Sequence, residues 1–292
     1  MGTLRFKQVD VFTSRPFFGN PVAVVLDADG ISDEEMQRIA AWTNLSETTF
    51  VQRPTTSEAD YRLRIFHPTG ELPFAGHPTV GSAHAILEAD VVTPRHGTMR
   101  QECGAGVLKL TIEGDAVDRR IFVEAPEARA VREHSGSIEG LSAALGAEVS
   151  TEPPPFALDN GPVWLFARFE QAEPIQRMEP DMAALARLSR ELSVTGIAVF
   201  ALLEGERPAV HIRCFAPAVG VPEDPVTGSA NAALPAYLAR FGLLERVGRS
   251  YTATQGTEIG RDGRVSVRVL DSSGRAEIGG HSVTVIEGEI RW

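Results

Sequence analysis

Hydrophobic and polar positions alternate with a period of two from Phe6 to Phe12 and then run together in Val22-Ala23-Val24-Val25-Leu26. This predicts two strands joined by the aromatic-bearing turn Thr13 to Pro21. At Ser32-Asp33-Glu34-Glu35 the pattern changes to helical spacing, with a cap residue and an S-x-x-E box, and the helix is expected to end near Trp42. Strands follow at Thr48 to Val51 and Tyr61 to Phe66, then a small-residue helix to about Glu88. The turn Glu113-Gly114-Asp115 separates the strands Val107 to Ile112 and Arg119 to Ala125. A short helix is expected at Ile138 to Leu145, followed by Pro153-Pro154-Pro155.

The later chain repeats this order. Strands are expected at Val163 to Phe169, Ile197 to Leu203 and Val210 to Phe215, with an amphipathic helix at Asp181 to Glu191. A second small-residue helix comes next, then Thr252 to Thr257, a hairpin of Val265 to Leu270 with Arg275 to Ile278, and a last strand Val283 to Ile290. Two short signatures fix the correspondence. Arg64-Ile65-Phe66-His67-Pro68 and Arg213-Cys214-Phe215-Ala216-Pro217 lie 149 residues apart (64 to 213) in a chain of 292, each ahead of a turn that enters a helix. Asn20-Pro21-Val22-Ala23-Val24 resembles Gly161-Pro162-Val163-Trp164-Leu165, and Thr48-Thr49-Phe50-Val51 resembles Gly196-Ile197-Ala198-Val199. Matches in the same order argue for two copies of one fold, with a ligand cleft expected between them.

The two helix entrances carry the candidate chemistry. Pro73-Phe74-Ala75-Gly76-His77-Pro78-Thr79 is one, and Val221-Pro222-Glu223-Asp224-Pro225-Val226-Thr227-Gly228-Ser229-Ala230 is the other. Prolines disfavour helix upstream, and Thr227 and Ser229 offer capping hydroxyls. A helix start leaves N–H groups free, which favours an anion such as a carboxylate. Glu47 sits at a strand entrance and His77 at a helix start; either suits acid/base chemistry or a purely structural role.

Composition narrows the classes. A hydrophobic content of 43% over 292 residues suffices for two cores. The net charge of −11 opposes binding to a phosphate backbone, so no nucleic-acid partner is expected. The longest apolar run, Ile197 to Leu203, is far short of a membrane span, and the first seven residues lack a signal-peptide core, so no membrane partner and a cytoplasmic location are expected. Only Cys103 and Cys214 occur, and both read as reduced, structural thiols. Lysine occurs only at Lys7 and Lys109, neither in a site-like motif, which disfavours a Schiff base with pyridoxal phosphate. The seven histidines form no H-E-x-x-H or Cys/His cluster, and no G-x-G-x-x-G follows a strand, so no metal, nicotinamide or other cofactor is expected.

With these motifs in place, the chain resembles the PhzF family, phenazine-biosynthesis-like isomerases of the diaminopimelate epimerase-like superfamily. The resemblance rests on Asp10-Val11-Phe12, Phe18-Gly19-Asn20-Pro21-Val22-Ala23-Val24, Leu45-Ser46-Glu47-Thr48, Phe74-Ala75-Gly76-His77-Pro78-Thr79 and Glu223-Asp224-Pro225-Val226-Thr227-Gly228-Ser229-Ala230, in that order. It implies an α+β fold of two pseudo-symmetric domains, each a curved, mostly antiparallel β-sheet wrapped around a central helix, with the active site between them and a homodimer as the assembly. The domains are expected at 1–127, completed by 283–292, and at 128–282.

The resemblance further implies a cofactor-free proton shift on a small carboxylated substrate, dihydro-hydroxyanthranilate-like or amino-acid-like, with Glu47 as general acid/base. His77 and Asp224 would assist or orient, while Ser46, Gly76, Gly228 and Ser229 would hold the substrate, chiefly its carboxylate. Abstracting a proton beside an unsaturated acid needs a base of raised pKa, which desolvation of Glu47 would supply. The two-base epimerases of this superfamily place a cysteine before each helix-start glycine; here those positions are Ala75 and Thr227. An epimerase, a lyase using the same carboxylate, or a metabolite-binding protein without chemistry are the alternatives.

Overall fold

A computed structural model describes residues 2–203, 205 and 209–292. Met1, the first residue of the expected N-terminal domain, lies outside the described residues. The chain divides into two units, 1–124 with 279–292 and 125–278.

The first unit comprises β1 (Thr3–Val11), β2 (Asn20–Val25), α1 (Asp33–Thr43), β3 (Thr48–Gln52), β4 (Tyr61–His67), β5 (Gly70–Leu72), α2 (Gly76–Glu88), β6 (Thr98–Cys103), β7 (Gly106–Glu113) and β8 (Arg120–Glu124). The second comprises β9 (Arg129–Glu133), α3 (Ile138–Leu145), β10 (Phe156–Asp159), β11 (Val163–Phe169), α4 (Ala172–Arg177), α5 (Met182–Glu191), β12 (Gly196–Leu202), β13 (Val210–Ala216), β14 (Val221–Asp224), α6 (Gly228–Arg240), α7 (Leu244–Val247), β15 (Ser250–Gln255), β16 (Gly263–Val269) and most of β17 (Ala276–Gly280). The last strand, β18 (Ser282–Arg291), pairs with β1 in the first unit.

Strand pairing repeats between the units. In the first, β2 runs parallel to β3, β3 antiparallel to β4, β4 parallel to β6 and β6 antiparallel to β7. In the second, β11, β12, β13, β15 and β16 follow the same sequence of directions. Even the flank repeats: β1 is paired by β18 and β10 by β9.

Each unit surrounds one helix. Every residue of α2 from Gly76 to Leu87 is buried, the polar His77, Thr79, Ser82 and His84 included. A Cβ on Gly81 would lie 2.5 Å from Val22 and 2.6 Å from Val11, so glycine lets α2 press onto β1 and β2. Thr49 and Ser82 hydroxyls meet at 2.7 Å between strand and helix. In the second unit Tyr237 of α6 meets the rings of Phe166 and Phe200, at centroid distances of 5.9 and 5.2 Å. The alternate residues Ile197, Val199 and Ala201 instead join Leu141, Leu145 and Leu185 of the outer helices. Both faces of β12 are therefore covered, which explains its unbroken apolar run.

Helix α1 has the expected capping box between Ser32 and Glu35, worth about 1 kcal/mol. At α6 the expected cap is absent. Thr227 is the N-cap residue but its side chain makes no capping bond; its hydroxyl oxygen accepts from Gln255 Nε2 at 2.8 Å instead, and its hydrogen is donated to Asp224 Oδ2 at 2.7 Å. The weakly patterned strands β5, β6, β9, β10 and β14 were not predicted by the hydrophobic pattern. They are short or carry charged residues in exposed positions, as in Arg129–Glu133, which is exposed throughout.

The two Arg-x-Phe signatures are structural. Arg64 donates to both oxygens of Glu71 at 2.5 and 2.7 Å and lies 5.3 Å from the Phe66 ring centre. Arg213 does the same with Glu223, at 2.8 Å to each oxygen, and lies 5.0 Å from the Phe215 ring centre. Each arginine thus fastens the short strand leading to its unit's central helix.

Candidate active site

In the first unit the parallel pairing of β2 and β3 sets the position of Glu47, whose carbonyl accepts from Ala23 N–H. The preceding helix stops at Asn44, which takes the left-handed conformation and turns the chain through Leu45 and Ser46. Ser46 and Glu47 are half-buried. His77 stands in the first turn of α2, and its Nε2 lies 3.3 Å from Glu47 Oε2.

Burial holds the His77 pKa down at about 3, and a hydrogen bond to the Pro21 carbonyl only partly opposes this. The imidazole is therefore neutral near pH 7, and its contact with Glu47 is not an ion pair. Nε2 makes no standard hydrogen bond, so the proton shared with Pro21 is on Nδ1. The Nε2 lone pair then faces the Glu47 carboxyl, where it can accept a proton carried on that carboxyl. Asn20-Pro21 is placed by the loop after β1, where Phe17 N–H donates to Asp10 at 2.6 Å. A Cβ on Gly19 would come within 2.2 Å of the Val11 carbonyl.

In the second unit Asp224, Gly228 and Ser229 lie together at the entrance to α6. Glu223, beside Asp224, is held by Arg213, so the two adjacent carboxylates have separate partners. Ser229 Oγ accepts from Trp164 Nε1 at 2.9 Å, and Asn160 donates to the Ser229 carbonyl at 2.8 Å. The helix starts are alike in lacking a side-chain cap: Ala75 and Thr227 are the N-cap residues, followed by Gly76 and Gly228. The position matching Glu47, just ahead of β12, is Thr195, whose hydroxyl accepts from Val163 N–H at 3.0 Å.

Sequence reasoning missed Pro21 as the imidazole's partner and missed Gln255, Asn231, Asn160 and Trp164 around α6. Of these, Pro21 and Trp164 fell within the motifs and Asn231 closes the stretch that enters α6, whereas nothing in the local pattern around Gln255 marks a site. Cys214, read from the sequence only as a structural thiol, lies beside the Thr227 and Gln255 side chains at the entrance to α6. The thiol is buried, and burial pushes its pKa up. Among the described residues no group of three or more His, Cys, Asp or Glu is placed to hold a metal ion, and no helix is long and apolar enough to cross a membrane.

These features define an α+β fold with a carboxyl–imidazole pair at the central helix of its first unit. Comparison with known proteins agrees. Residues 9–288 match the family model PhzC-PhzF, phenazine biosynthesis-like protein. The trans-2,3-dihydro-3-hydroxyanthranilate isomerase of Pseudomonas aeruginosa is 37% identical over 97% of this chain and 98% of its own. Antisense-enhancing sequence 1 of Schizosaccharomyces pombe is 40% identical over 97% of each chain. The crystal structure of a PhzF-family phenazine biosynthesis protein from Bacillus anthracis superposes with a TM-score of 0.87 at 30% identity, covering 100% of both chains. The chain belongs to the phenazine biosynthesis-like, PhzC-PhzF, family and is an isomerase of the PhzF type.

Proposed function

We propose that this isomerase moves a proton within a small carboxylated, unsaturated or amino-acid-like substrate without a cofactor, with Glu47 as general acid/base. The observation carrying the reading is the 3.3 Å approach of Glu47 Oε2 to the buried Nε2 of His77. A base that takes a proton from carbon must hold it until it is returned. With Nδ1 bonded to the Pro21 carbonyl, the Nε2 lone pair can receive the hydrogen of a protonated Glu47 and orient it. His77 thus assists the transfer. Asp224 is assigned an orienting role, while Ser46, Gly76, Gly228 and Ser229 are assigned to the substrate, chiefly its carboxylate. Uncapped helix starts favour that anion.

Thr195 replaces a carboxylate at the position matching Glu47, which supports a single base that removes and returns the proton on one face. Ala75 and Thr227 at the helix starts supply no thiol pair, which weighs against a two-base epimerase. The substrate is open. Trans-2,3-dihydro-3-hydroxyanthranilate is a candidate through the Pseudomonas aeruginosa relative, whereas the name of the Schizosaccharomyces pombe relative specifies no reaction.

The test is incubation in D₂O with that compound and a panel of small unsaturated and amino acids, read by mass spectrometry, for the parent and Glu47→Gln. The expected result is a product isomer or deuterium uptake that Glu47→Gln lowers by roughly 10² to 10⁴, with substrate still bound. Parent-like turnover by Glu47→Gln would remove Glu47 as the base. Saturable binding without exchange by the parent would favour a metabolite-binding protein.

A further inference from the structure

Gln255, at the end of β15, is fully buried and lies outside every sequence motif. Its carboxamide has four partners at the entrance to α6. Nε2 donates to the Asp224 carbonyl at 2.9 Å and to Thr227 Oγ1 at 2.8 Å. Oε1 accepts from Thr227 N–H at 2.9 Å and from Asn231 Nδ2 at 3.0 Å. The backbone fixes which end is which, since the Asp224 carbonyl can only accept and the Thr227 amide can only donate. Rotating the carboxamide would set donor against donor and oxygen against oxygen.

This polarity passes outward. Because Gln255 Nε2 donates to Thr227 Oγ1, the threonine's own hydrogen is directed away, and it is donated to Asp224 Oδ2 at 2.7 Å. The loop is also clamped from below. A Cβ on Gly256 would lie 2.4 Å from the Pro225 carbonyl, so the residue after Gln255 must be glycine for this approach. Among the described residues, the neutral Cys214 thiol and the Glu223–Arg213 pair also lie near Asp224.

We propose that Gln255 is a positioning residue that, through Thr227, holds the Asp224 side chain as an oriented, ionised acceptor at the start of α6. Gln255 acts through another side chain: it sets the direction of the Thr227 hydroxyl that donates to Asp224. The proposal rests on the reading that Asp224 takes part in the reaction, but its test does not require turnover.

Asp224 is titrated by carbon NMR of the side-chain carboxyl, its resonance assigned by its loss in Asp224→Asn. Thr227→Val keeps the side-chain shape and removes the hydroxyl, so the midpoint of Asp224 should rise by about one pH unit, the scale of one hydrogen bond to a charged group. Thr227→Ser should restore the parent midpoint. Gln255→Met should raise it as well, because the hydroxyl is then released to turn elsewhere. An unchanged midpoint in Thr227→Val, an equal rise in Thr227→Ser, or a parent midpoint in Gln255→Met each overturns the proposal. If Asp224→Asn turns over its substrate like the parent, the catalytic reading of Asp224 fails while the titration still decides the positioning.

Discussion

Glu223 and Asp224 are consecutive in the chain, yet one is tied to Arg213 by two 2.8 Å hydrogen bonds and the other accepts the Thr227 hydroxyl. The first pair is almost fully buried, with side-chain exposures of 5% and 7%. Glu223→Gln would leave Arg213 buried without a counter-charge and is expected to cost about 3 to 5 kcal/mol of stability, read by urea unfolding. Asp224→Asn keeps an oxygen for Thr227, so it should unfold like the parent while losing activity. Equal loss of stability in both variants would show that the two carboxylates are not divided in this way.

The equivalent pair of the first unit is wetter. Glu71, the partner of Arg64, is 41% exposed, and Asp33, which also binds Arg64, is 77% exposed. Glu71→Gln is therefore expected to cost about 1 kcal/mol or less. The same sequence signature carries different energies because only one copy is covered.

Acid should destabilise the chain in two stages. His77 has a folded pKa of about 3 against an ordinary 6.5, so below about pH 6.5 the unfolded chain binds a proton that the folded chain refuses. Stability then falls as pH drops from about 6.5 towards 3, and His77→Gln should flatten this slope. Glu88 is different: hydrogen bonds from His84, Thr284 and Lys7 hold its pKa far below the ordinary 4.5. Its contribution is complete above about 4.5 and is lost as pH falls further, a loss that Glu88→Gln should remove. Unfolding midpoints measured from pH 8 to pH 3 check both.

Gly81→Ala should lower stability by about 1 to 3 kcal/mol, since the added methyl would meet the side chains of Val22 and Val11 on two different strands. Gly136→Ala, where an added Cβ meets nothing, is the control. Comparable unfolding of the two variants would contradict the tight seating of α2.

The plan of the molecule was legible because its strongest signals are local. Ile138 to Leu145 and Val163 to Phe169 were bounded by periodicity and turn residues alone, and the Arg-x-Phe repeats marked equivalent strand ends in both units. Glu47 and His77 were individually visible as motif residues, but their meeting was not, since it depends on β3 lying beside β2 and on the packing of α2 against these strands. Gln255 was invisible for a related reason. It lies 28 residues from Thr227 and 31 from Asp224, and its surroundings read as an ordinary polar strand end. Capping hydroxyls were expected at Thr227 because the residue type suits the role; the Gln255 carboxamide, distant in sequence, took the hydroxyl oxygen instead.

The pairing of β1 with β18 also sets a schedule for synthesis. Residues 3–11 leave the ribosome long before their partners, 282–291. The leading strand must wait with one flank exposed while nearly the whole chain is made, and the second unit can form from a continuous stretch in the meantime. Strand β18 therefore acts as a completion signal for the first unit, and a nascent chain halted before Ser282 would keep an open sheet edge for chaperones or neighbouring chains to find.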